Sequence, residues 1–94
     1  MPICRSLEMS ISREEFLRLL PRAVGPYALS DGDRIEGGDS ARRWTIHLQR
    51  LEDRSLGSVI LSRHQVELQF EGFSEAEVTF FLAQFQRGFQ RGGG

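Results

Sequence analysis

The residue types best suited to metal binding or nucleophilic catalysis are few in this chain and widely spaced. They comprise one cysteine, Cys4, and two histidines, His47 and His64. A metal site needs three or four ligands at matched geometry, and Cys4 is expected to lie in a loose end. The serines that stand out, Ser12 and Ser74, have the positions of helix caps rather than of activated nucleophiles. We therefore predict no catalytic residue, no metal and no cofactor, and a protein that is not an enzyme.

The basic residues are the next candidates for chemistry, because all twelve of them are arginine. A guanidinium group binds phosphate bidentately, so arginines near strand ends could contact nucleic acid or another anion. The candidate contacts are Arg42, Arg43, Arg50, Arg54, Arg63, Arg87 and Arg91. Acidic residues are interspersed among them and the net charge is −1, which favours a solvated mixed-charge surface. Nucleic-acid binding through these arginines is therefore the alternative function.

The chain ends in three glycines, Gly92-Gly93-Gly94. A terminal diglycine resembles the end of sulfur carriers and ubiquitin-like modifiers, and it would imply covalent use of Gly94. The resemblance covers two residues, and those folds begin with a β-hairpin, whereas a helix is predicted first here. A flexible tail over residues 91–94 is the simpler interpretation, and a carrier or enzyme is the third hypothesis.

Alternating apolar residues between Arg42 and Gly72 predict the sheet that positions these side chains. We interpret them as three antiparallel strands with turns near Asp53-Arg54 and Arg63-His64. The predicted inner face consists of Trp44, Ile46, Leu48, Val59, Leu61, Val66, Leu68 and Phe70. Ser58 and Ile60 are predicted to face outward. The rest of the outer face is a candidate open binding surface made of Thr45, His47, Gln49, Gln65, Glu67 and Gln69.

Two capping boxes predict the helices that cover the inner face. Ser12 and Glu15 begin the first helix, which we expect to end or kink near Leu20, because Pro21 interrupts its apolar pattern. Ser74 and Glu77 begin the second helix, whose phenylalanines recur at spacings of three and four. The stretch between the first helix and the meander is turn-prone and has room for one short hairpin around Asp31-Gly32.

Together these patterns predict an α+β fold, a two-layer α-β-β-β-α sandwich. Both helices cover one face of a three-stranded antiparallel meander, with or without one extra short hairpin. Residues 11–90 form the single domain, between a flexible extension over residues 1–10 and the glycine tail. No apolar run approaches the ~20 residues of a membrane span, and a lone cysteine requires no oxidising compartment. We therefore expect a cytoplasmic protein without membrane contact.

The polar sheet face and the free strand edges suit a protein partner or a second copy of the chain better than they suit nucleic acid. No outward-facing aromatic ring is predicted on which a base could stack. The main functional hypothesis is therefore a small non-enzymatic module that binds another protein or self-associates.

Overall fold

The computed structural model describes residues 2–89 and has an α+β architecture, as predicted. In that range the chain forms β1 Ile3–Met9, α1 Arg13–Val24, β2 Ala28–Asp31, β3 Arg34–Gly38, β4 Arg43–Leu56, β5 Val59–Glu71 and α2 Glu75–Gly88. The strands make one antiparallel sheet in the order β1-β5-β4-β3-β2. The described sheet thus has five strands rather than three, and β2–β3 is the extra hairpin. The predicted glycine tail over residues 91–94 lies outside the described range.

The first correction concerns residues 1–10, which the sequence predicts as a flexible extension. Most of this segment is the edge strand β1, which pairs with β5 along its whole length. Its apolar alternation is interrupted by a charge, since Arg5 stands between Ile3 and Leu7. Arg5 donates to Glu75 of α2 at 2.8 Å. Because Glu75 neutralises it, Arg5 can occupy a strand position that faces the helices. The charge interrupts the apolar alternation of β1, and the sequence pattern therefore does not indicate a strand.

The second correction concerns the turns of the predicted meander. Residues 53–54 and 63–64 lie within strands, because β4 and β5 form one long hairpin around the loop Gly57-Ser58. Gly57 has a φ of +63°, whereas Ser58 does not have a positive φ. Glycine at the first of two loop positions is the pattern of a hairpin loop that matches strand twist. The Gly-Ser pair was the turn signal that the sequence contained.

This longer hairpin reverses the direction of several side chains. Trp44 pairs with Phe70 and Leu48 with Val66, and the predicted inner residues of this part are buried. Farther along β5, the odd positions Val59 and Leu61 share the outer face with Glu67, and Ile60 takes the opposite side. The predictions for Val59, Leu61 and Ile60 are therefore wrong, since a misplaced turn turns a strand segment over.

Both helices cover the inner face and close the core with aromatic rings. Phe16 of α1 lies 6.2 Å from Phe85 of α2 between ring centroids, which joins the helices to each other. Phe81 lies 5.7 Å from Trp44 and 5.1 Å from Phe70, which joins α2 to the sheet. The core is thus a two-layer contact between helix stripes and alternate strand positions.

The predicted caps begin both helices. The Ser12 hydroxyl accepts from the Glu15 backbone N–H at 3.2 Å, and a reciprocal capping box begins α2 at Ser74. The helix does not end near Leu20, because α1 continues through Pro21 to Val24. Pro21 removes only one backbone donor near the end of the helix, where packing against α2 supports the remaining turn.

Candidate functional site

The sheet face opposite the helices is open and contains the predicted polar surface. Its cross-strand pairs are Thr45 with Gln69, His47 with Glu67 and Gln49 with Gln65, and each of the six side chains follows or precedes a buried residue. A shallow concavity of about 520 Å³ crosses this face from β1 to β3. The predicted set therefore does lie together on one surface.

One row of this face contains the residue types of general acid–base chemistry. Ser6, Glu67, His47 and Arg34 are successive neighbours across four strands. Strands lie roughly 4.8 Å apart, so the backbones of Ser6 and His47 are separated by roughly 10 Å with Glu67 between them. Activation of a serine requires a base within hydrogen-bond reach. Because His47 is too far from Ser6 to act as its base, this row of polar side chains is better suited to hydrogen bonding with a partner.

The two histidines lie on opposite faces of the sheet. His47 is exposed, whereas His64 is buried and its Nδ1 lies 2.8 Å from the Ile11 carbonyl oxygen. His64 therefore lies within β5 rather than in the predicted turn, and its ring connects β5 to the segment before α1. Cys4 is an exposed free thiol. Between residues 2 and 89 no three His, Cys, Asp or Glu side chains are grouped closely enough to hold a metal ion.

The candidate arginines are dispersed over the described surface. Arg43 and Arg54 lie near opposite ends of β4, about 35 Å apart along the strand. Arg87 lies in the last turn of α2, and Arg91 lies outside the described residues. The three others are ion-paired: Arg42 with Glu77, Arg50 with Asp53 at 3.1 Å, and Arg63 with Glu8 at 2.9 Å. These positions do not bring the set together into one anion-binding ridge.

One surface feature that the sequence did not predict is the distal part of the β4–β5 hairpin, residues 49–63, which we call the arm. β3 pairs with β4 only as far as His47, and β1 pairs with β5 only from His64 onward. Both strands of the arm therefore have a free outer edge. Three large apolar side chains are exposed there: Leu56 (56%), Val59 (53%) and Ile60 (67%).

The two free edges of the arm differ in their protection against pairing with other chains. The β4 edge has a bulge between Leu51 and Arg54 and charged residues on both sides of it. Bulges and charges are the devices by which natural edge strands avoid association. The β5 edge has a regular register and an uncharged run, Ser58-Val59-Ile60-Leu61-Ser62. This edge is therefore open to pairing, and its sequence has high β-propensity.

The residues with shifted ionisation lie at the other end of β4. Two backbone N–H groups, of Arg42 and Ala41, donate to the Asp39 carboxylate and hold its pKa below the ordinary value. The Ser74 backbone N–H likewise lowers the pKa of Glu77, and the Arg42 guanidinium adds to this shift. Both carboxylates stabilise local turns, the β3–β4 loop and the start of α2, rather than a binding surface.

Neither helix of the described range 2–89 combines the length and hydrophobicity needed to cross a membrane. Comparisons with family models, with curated proteins and with solved structures find no match to this chain. Among the described residues, the arm combines free strand edges with exposed apolar side chains.

Proposed function

We propose that this protein is a non-enzymatic protein-binding module and that the arm is its docking element. The observation that carries the proposal is the unprotected β5 edge beside three exposed apolar side chains. An extended segment of a partner adds to such an edge through main-chain hydrogen bonds, and side chains on the two faces supply specificity. A regular uncharged edge is a hazard for a protein that has no partner for it.

The surroundings of the arm also suit a protein interface. Leu56 pairs with Val59 across the hairpin, and Leu61 follows Val59 on the same face. Along the outer face of β5 this apolar group is followed by Arg63, Gln65 and Glu67. An apolar centre bordered by hydrogen-bonding side chains is the usual anatomy of a protein–protein interface.

Two matched variants test the proposal. The arm variant is Val59→Lys/Ile60→Lys, which places charge on the edge without touching the core. The control is Phe80→Lys, which removes an equally exposed apolar side chain from α2. Immobilised wild-type protein and both variants are used to capture binding proteins from a lysate of the native cells, and bound proteins are quantified.

We expect wild type and the Phe80→Lys control to retain the same proteins, and the arm variant to lose them. Retention of the same proteins by the arm variant would overturn the arm as docking element. A salt-sensitive complex with labelled RNA or DNA that persists in the arm variant would instead favour the alternative function.

A further inference from the structure

We propose that the partner of the β5 edge is a second copy of this chain. In this dimer the two β5 edges pair antiparallel about a two-fold axis that passes through Ile60. The inference rests on the proposed function and specifies its partner. The observation that supports this dimer is the uncharged run of five residues from Ser58 to Ser62.

This run is self-complementary in one register. A two-fold axis normal to a sheet keeps each side chain on its own face, so paired positions must both be odd or both even. With Ile60 on the axis, Ser58 faces Ser62 of the second copy, Val59 faces Leu61, and Ile60 faces Ile60. A shift of two residues in one direction places Val59 opposite Arg63, and in the other direction it places Ile60 opposite Ser58. Like therefore meets like throughout the run only in the register centred on Ile60.

The free edge has the length that this register requires. Met9, the last residue of β1, pairs with His64, so the open part of β5 begins at Arg63. With Ile60 on the axis, Gly57 of the second copy lies opposite Arg63, one position short of the pair formed by His64 and Met9, where β1 ends. The Arg63 side chain is directed elsewhere, since it donates to Glu8 and to the Glu52 carbonyl oxygen, each at 2.9 Å. The second arm therefore pairs along the edge up to Arg63, whose guanidinium is already ion-paired with Glu8.

Pairing also gives the exposed apolar side chains neighbours. Leu56 pairs with Val59 within one chain, and Val59 faces Leu61 of the second copy. These three side chains form an apolar row across three strands on one face. The two-fold axis repeats this row, and the two Ile60 side chains meet on the other face. After pairing, the β4 edge with its bulge and charges is the outer edge of both arms. The assembly is therefore closed at two copies rather than open-ended.

Disulfide trapping tests the register directly. In a Cys4→Ser background, Ile60→Cys places the only thiol of each chain opposite its symmetry mate, at a Cα separation of roughly 4.5–5.5 Å, which suits a disulfide. The control is Ser55→Cys, the neighbour of Ile60 across the hairpin. Its symmetry mate is three strand spacings away, roughly 14 Å. We expect mild oxidation to link Ile60→Cys chains into dimers at least about tenfold faster than Ser55→Cys chains.

Sedimentation of the unoxidised full-length protein supplies the second measurement. We expect wild type and Phe80→Lys to show a concentration-dependent dimer, and Val59→Lys/Ile60→Lys to sediment as a monomer. Equal linking rates of the two cysteine variants would overturn the register centred on Ile60. A wild type that stays monomeric at hundreds of micromolar while other proteins are captured through the arm would overturn self-pairing but not the proposed function. If the wild type stays monomeric and the arm variant captures the same proteins as the wild type, both self-pairing and the proposed function are overturned.

Discussion

Gly88 determines how closely the two helices pack. A methyl group built on Gly88 would lie 2.6 Å from the Ala23 Cβ and would also overlap the Ala23 backbone. The sequence marks Gly88 only as a weak point of α2, because helix propensity alone favours alanine over glycine by about 1 kcal/mol. The close contact with α1 reverses this preference.

We therefore expect Gly88→Ala to lower the free energy of unfolding by about 1–3 kcal/mol, the usual cost of overpacking. Urea denaturation followed by circular dichroism measures the change. Gly32→Ala is the control, since nothing lies within 4 Å of the added methyl group, and its effect should stay within about 0.5 kcal/mol. A stabilised Gly88→Ala protein would show that the helices are farther apart than described.

Glu77 makes the stability of the protein depend on pH. Its folded-state pKa lies below the ordinary value of 4.5, because the Ser74 backbone N–H donates to its carboxylate. The charged form therefore contributes stability above the unfolded-state pKa, and this contribution is lost as the pH falls through the folded-state pKa. Protonation at low pH weakens the capping box and the contact with Arg42.

We expect the Glu77→Gln variant to lose less thermal stability than wild type on acidification from about pH 5 to about pH 3. Thermal unfolding at closely spaced pH values measures this slope. Because Asp39 also has a lowered pKa, part of the acid sensitivity should remain in the variant. Parallel slopes for variant and wild type would contradict the role of Glu77.

At the scale of elements, the arm is the part of the hairpin that lacks a third strand. We expect the backbone amides of Val59–Arg63 to gain protection from hydrogen exchange as the protein concentration rises, because pairing with a second copy covers the β5 edge. Exchange measured by mass spectrometry at two concentrations, for wild type and for Val59→Lys/Ile60→Lys, checks this. Protection that does not change with concentration in the wild type would contradict pairing along β5.

The helices and strands differ in how far the sequence alone predicts them. The helix starts were correct because the capping serines act within three residues, and the central strands were correct because the alternation of Trp44, Ile46 and Leu48 is unbroken. Strand β1 was missed because Arg5 interrupts its alternation and is neutralised only by Glu75 of α2. The position of a turn determines which side chains of the two flanking strands point to each face. The charged residues near Asp53 favour a turn there, whereas the actual loop is Gly57-Ser58.

The candidate site was predictable only in part, for a related reason. The polar outer face follows from alternation, and the structure places its six residues together. Whether an edge is free depends on where neighbouring strands end, which no local pattern of β4 or β5 specifies. The arm could be recognised only after the ends of β1 and β3 were known.

At the scale of the whole molecule, the arm defines the long axis. The described chain measures 47 × 30 × 21 Å, and the longest dimension matches β4, whose 14 residues extend over roughly 46 Å. Two copies that overlap over residues 57–63 would be roughly 70 Å long, since seven strand residues span roughly 23 Å. An arm-to-arm dimer is therefore much longer than a compact particle of the same mass.

Small-angle X-ray scattering of the native protein over a concentration series measures this mass and length together. We expect scattering from the wild type to approach the mass of two 10.7 kDa chains with a maximum dimension of roughly 70 Å, and Val59→Lys/Ile60→Lys to stay at the mass of one chain. A wild-type particle of one chain and about 47 Å at every concentration would contradict the pairing of two arms.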